Sequence, residues 1–65
     1  MKLEMFQKVS LKNGQIGCII EIFNDGEAYM IEVLENDGNY SQLTIYPHQI
    51  KSIFVEVEKS VETLL

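Results

Sequence analysis

Two clusters, Asn24-Asp25-Gly26 and Asn36-Asp37-Gly38, limit what this chain can fold into more than any other feature, because each lies between apolar runs of strand length. Asn and Asp tolerate the left-handed backbone and Gly adopts it without steric cost, so each cluster can reverse the chain within a few residues. Apolar runs joined by such turns are antiparallel hairpins. Lys12-Asn13-Gly14 is a third turn of this kind.

The intervening segments carry the period of strands. Phe6 to Leu11 is the first, with Phe6 expected in the core and Val9 and Leu11 alternating around Ser10. Ile16 to Phe23 is the second. Tyr29 to Leu34 is the third, with Tyr29, Ile31 and Val33 on one side and Met30, Glu32 and Leu34 on a wetter one. Leu43 to Tyr46 anchors the fourth, where Ser41, Leu43 and Ile45 share a side. The second strand breaks the alternation at Cys18-Ile19-Ile20, which predicts burial on both faces or a bulge displacing Ile19 or Ile20. Gly17 within it predicts a bend or a close backbone approach. Pro47-His48-Gln49-Ile50 then stops the ladder in one tight turn, and Ile53 with Val55 begins a fifth strand.

An all-β fold follows: five short antiparallel strands, with a one-turn 3-10 segment near Pro47-Ile50, forming an SH3-like small barrel over residues 1–55. An OB-like barrel needs a helix between its third and fourth strands, for which there is no room. Cys18, Ile20, Ile31, Val33, Leu43, Ile45, Ile50 and Ile53 are the expected core. Residues 56–65 form a tail in which Val57, Val61, Leu64 and Leu65 recur at helical spacing. A helix this short needs something to dock on. Covering an open end of the barrel and sealing a homodimer are both open to it.

Composition supports one small domain. The chain has 65 residues, 46% of them hydrophobic, which argues against disorder. It has no apolar run of membrane-span length and no apolar leader behind Met1-Lys2-Leu3-Glu4, so a cytoplasmic location is expected. One cysteine excludes a disulfide scaffold or a cysteine-built zinc site.

Charge narrows the partners. The net charge is −5, and the chain contains no arginine and no tryptophan. An acidic chain without the guanidinium fork is repelled by phosphate backbones, so direct DNA binding is not expected. The acids are also segregated: Glu21, Asp25, Glu27, Glu32, Glu35 and Asp37 occur in a stretch without a base, whereas Lys2, Lys8 and Lys12 precede it. Such a stretch either solubilises a small protein or meets a basic one. Interfaces favour aromatic anchors, and Tyr40 and Tyr46 are the two tyrosines placed for the surface. Glu21, Glu27, Glu32, Glu35, Tyr40 and Tyr46 are therefore the candidate partner-binding residues.

Chemistry offers less. His48 belongs to the turn after Pro47, and Cys18 to the most apolar strand, where it reads as a small buried hydrophobe. Nucleophilic catalysis needs such groups within hydrogen-bond reach of each other. Asn36-Asp37-Gly38-Asn39 lacks the remainder of a calcium loop, and the two acidic turns fall at opposite ends of the third strand. No enzyme activity, cofactor or metal is expected.

The segment Gly14-Gln15-Ile16-Gly17-Cys18-Ile19-Ile20-Glu21, followed by Asp25-Gly26-Glu27 and Tyr29 to Val33, resembles a family of short bacterial proteins known only as a domain of unknown function with an SH3-like or KOW-like barrel. Asp37-Gly38, Leu43 to Ile45, and Pro47 with Ile50 continue the pattern, so the likeness spans about Val9 to Ile53. Cys18 stands where that family commonly has threonine, and Val33 where it has an aromatic residue. The resemblance implies a companion of a larger bacterial protein, including toxin-like ones. The leading expectation is accordingly a non-catalytic acidic module that binds a basic protein as an inhibitor or antitoxin. A KOW-like domain contacting ribosomal or transcription machinery, using Lys2, Lys8 and Lys12, is the alternative. A structural homodimer sealed by the tail is another.

Overall fold

A computed structural model describes residues 2–54. It contains five strands, β1 (Lys8–Leu11), β2 (Ile16–Phe23), β3 (Ala28–Leu34), β4 (Tyr40–Ile45) and β5 (Ile50–Ile53), with one 3-10 turn, Pro47–Gln49, before the last. All pairings are antiparallel, and the sheet order is β4-β3-β2-β1-β5. The expected fifth-strand residue Val55 and the tail of residues 56–65 lie outside the described residues.

The three turns form as their chemistry dictates. Asn24, Asp25 and Gly26 all adopt positive φ, at 47°, 59° and 109°. The amides of Gly26 and Glu27 both donate to the Phe23 carbonyl, closing the β2–β3 hairpin. In the β3–β4 turn the Asn39 amide donates to Asp37 Oδ1 at 2.9 Å and its side-chain amide to Oδ2 at 3.2 Å. These bonds, the backbone one foremost, hold the exposed Asp37 carboxyl below the ordinary aspartate range. Asn13 Oδ1 accepts from the Gln15 amide in the β1–β2 turn. Pro47 begins the 3-10 turn, and the Gln49 side chain accepts from the Tyr46 amide across it.

One face of the sheet carries the core: Leu3, Val9, Leu11, Ile19, Tyr29, Ile31, Val33, Ile45 and Ile50, with Ile22, Leu43 and Ile53 packed against them. The alternation expected along β3 is realised, since Tyr29, Ile31 and Val33 are buried. So is the bulge in β2. Ile19 pairs with Ile31 and Glu21 with Met30, which leaves Ile20 between them unpaired and half-buried.

That bulge overturns two expected core positions. Counting back from Ile20 puts Cys18 inside, but the phase shifts at Ile20, so Gly17 and Ile19 point inward and Cys18 is exposed. Phe6 is corrected too. It sits in a turn ahead of β1 with φ 67° and is 74% exposed, while its amide donates to the Ile19 carbonyl. Leu3, which precedes any recognisable strand, fills the core at that end instead.

Among the described residues, closure into a barrel is not reached by hydrogen bonding. β4 and β5 are the two ends of the sheet, with no ladder between them. A second register shift, between Ser10 and Leu11 where β1 pairs with β5, adds to the curl produced at Ile20.

Tyr29 is 1% exposed, and its hydroxyl has no hydrogen-bond partner among the described residues. A buried hydroxyl that gains nothing to offset its desolvation is a cost. Tyr29→Phe is therefore expected to leave stability unchanged or raise it by about 1 kcal/mol. A urea midpoint below that of the wild type would show that the hydroxyl is bonded in solution.

Candidate functional site

The face of the sheet opposite the core is built by the same pairings. Lys8 lies opposite Cys18, Cys18 opposite Glu32, and Glu32 opposite Gln42, so these four side chains form one row across the strands. The next row begins with Ser10, which pairs with Ile16, and is apolar from β2 to β4. Gly17 pairs with Val33, which sets Ile16 beside Leu34, and Leu34 pairs with Tyr40. Ile16, Leu34 and Tyr40 are 45%, 58% and 65% exposed. Three large apolar side chains aligned on adjacent strands and facing water form a patch, which single scattered residues do not.

These rows line an open groove of about 630 Å³ bounded by Lys8, Cys18, Glu32, Leu34, Glu35 and Tyr40. Its charges are mixed. Glu35 lies at the turn end of the groove, where the Ser41 hydroxyl, on the core phase of β4, donates to its carboxylate. Glu32 is half-buried at the junction of β2, β3 and β4. Lys8 lies over the Phe54 ring at 5.2 Å, on the opposite flank. Such a surface can attract a cation to its acidic side and hold apolar side chains along its floor.

The six candidate residues are thus divided. Glu32, Glu35 and Tyr40 share the groove. Glu21 is on the same face of the sheet, opposite Met30, beyond the bulge. Glu27 accepts a hydrogen bond from the Asn24 side chain at 2.9 Å and so braces the β2–β3 turn. Tyr46 follows β4 at the end of the sheet away from Tyr40 and stacks on His48, with ring centroids 6.2 Å apart. His48 is exposed, as expected for a turn residue. The acidic stretch is also less uniform in space than along the chain, because Lys2 pairs with Asp25 at 3.4 Å.

Ile16 and Leu34 were not among the expected site residues. Leu34 carried a signal, because its phase of β3 also carries Glu32; Ile16 carried none, because its phase of β2 continues with Cys18 and Ile20 and only the bulge turns it outward. Among the described residues no cluster of His, Cys, Asp and Glu is arranged to hold a metal ion, and no helix is long and apolar enough to cross a membrane.

Sheet, turns and groove define a class: a small all-β domain of five antiparallel strands with an open groove on its outer face. Residues 3–52 match the family described as Domain of unknown function (DUF4926), and the chain belongs to that family. No curated protein and no solved structure matches it.

Proposed function

We propose that this chain is a non-catalytic, SH3-like small-barrel module of a bacterial cytoplasm that binds a basic protein partner, as an inhibitor or antitoxin-like companion. The strand order, the two register shifts and the 3-10 turn before β5 support the barrel reading. The observation that carries the binding reading is the apolar row Ile16, Leu34 and Tyr40 beside the acids Glu32 and Glu35. In this division of labour the acids steer encounter and the apolar row holds the complex, because exposed charges mainly raise association rates while a buried aromatic anchor governs dissociation. Cys18 and His48 line different grooves, which favours a binding role over a nucleophilic one.

The test is capture of partners from the native host by the full chain, followed by binding kinetics with whatever basic protein is retained. Tyr40→Ala is expected to weaken the complex by about thirtyfold, the equivalent of about 2 kcal/mol at an anchor. Glu32→Gln with Glu35→Gln is expected to slow association several-fold at low salt and to leave the melting temperature unchanged. Retention of RNA in a salt-sensitive manner, with no basic protein, would replace this reading with the KOW-like one.

A further inference from the structure

The two ends of the sheet are protected to different degrees. β5 is four residues long, contains Lys51 and is interrupted by the register shift against β1. Short length, a lysine and an irregularity are the devices that keep a sheet edge from pairing with another chain. β4 has none of them. It runs six residues, Tyr-Ser-Gln-Leu-Thr-Ile, without a charge, a proline or a bulge, and pairs with β3 in continuous register.

Its free groups can be assigned. The Glu35 amide donates to the Asn39 carbonyl, so that pair is a hydrogen-bonded one. Such pairs alternate along an antiparallel ladder. Ser41, Leu43 and Ile45 therefore bond to β3, and the amides and carbonyls of Tyr40, Gln42 and Thr44 point away from it. Among the described residues nothing pairs with that edge.

We propose that β4 pairs antiparallel with β4 of a second copy of this chain, about a two-fold axis at Gln42. This register sets Gln42 against Gln42, and Tyr40 against Thr44 in both directions, so every outward donor and acceptor in the strand is matched. It keeps the core face of one sheet continuous with that of the other and creates an aromatic–β-branched pair on the outer face. The uncharged edge selects an uncharged, alternating strand, and β4 itself meets that requirement. A lysine-rich strand would find no acid in β4 to pair with. Repulsion between the acidic chains does not oppose the seam. The two Glu32 residues stand three strand spacings apart, about 14 Å, where ionic strength near physiological screens charges over about 8 Å. The turn holding Glu35 and Asp37 comes to lie beside Tyr46 and His48 of the second copy, not beside another acidic turn.

Sedimentation of the full chain from micromolar to near-millimolar concentration tests this. The wild type is expected to move reversibly from 7.5 kDa toward twice that mass. In parallel, the amides of Tyr40, Gln42 and Thr44 should exchange more slowly as concentration rises. Gln42→Pro removes an amide that β3 does not use and should stay monomeric with its sheet spectrum intact. If that variant fails to fold, Gln42→Lys places like charges across the axis and should weaken association about tenfold or more. A wild type that remains monomeric throughout overturns the proposal. So does a dimer that survives either folded variant, since its seam would lie elsewhere.

Discussion

Ile31→Ala is expected to remove most of this domain's stability. Ile31 is fully buried at the centre of β3, opposite Ile19 on one side and Leu43 on the other. Truncating an isoleucine in such a position costs about 2–5 kcal/mol, from lost transfer energy and the cavity left behind. A chain of 65 residues has about 3–10 kcal/mol to lose, taking a typical stability per residue. The strands around the site cannot collapse into the void without breaking the pairings on either side. Urea unfolding followed by far-ultraviolet circular dichroism checks this. Leu34→Ala is the matched control, three residues along the same strand but 58% exposed, and is expected to change stability by no more than about 0.5 kcal/mol. A larger effect at Leu34 than at Ile31 would mean that the faces of β3 are reversed.

Gly17→Ala is expected to destabilise the fold although Ala is usually preferred to Gly in a strand. A Cβ at Gly17 would stand 2.7 Å from the Glu32 carbonyl oxygen and 3.1 Å from both Ile31 Cδ1 and Val33 Cγ2. The carbonyl is backbone in the β2–β3 ladder and cannot turn aside. Relief of the glycine's unfolded-state entropy is worth about 0.5–1 kcal/mol, whereas overpacking of this kind costs about 1–3 kcal/mol, so the steric effect sets the sign. A lowered urea midpoint with an unchanged slope is the expected result. A raised midpoint would show that β2 and β3 sit farther apart at Gly17 than this geometry has them.

The candidate site was legible only in part, for a local reason. Exposed acids and tyrosines can be picked out by type, and Glu32, Glu35 and Tyr40 do come together. Glu27 and Tyr46 are of the same types, yet one braces a turn and the other stacks on His48. Residue type reports what a side chain can do, while its neighbours across the ladder decide what it does. Ile16 and Leu34 show the converse, because an aliphatic residue reads as core until the strand's phase is known.

What the sequence determined by itself was the local structure: three reversals where Asn, Asp and Gly tolerate left-handed backbone, the two faces of β3, and the stop at Pro47. These rest on contacts within a few residues and on a period of two, and neither depends on the rest of the fold. Tertiary structure alone decided the phase of β2, since the bulge at Ile20 is set by matching β2 to β3 across the ladder. That one-residue shift sent Cys18 to solvent and Ile19 to the core. It also decided that Leu3, not Phe6, would close the core at the N-terminal end, and that β4 and β5 would remain edges. Register is a property of two strands at once, so no reading of one strand supplies it.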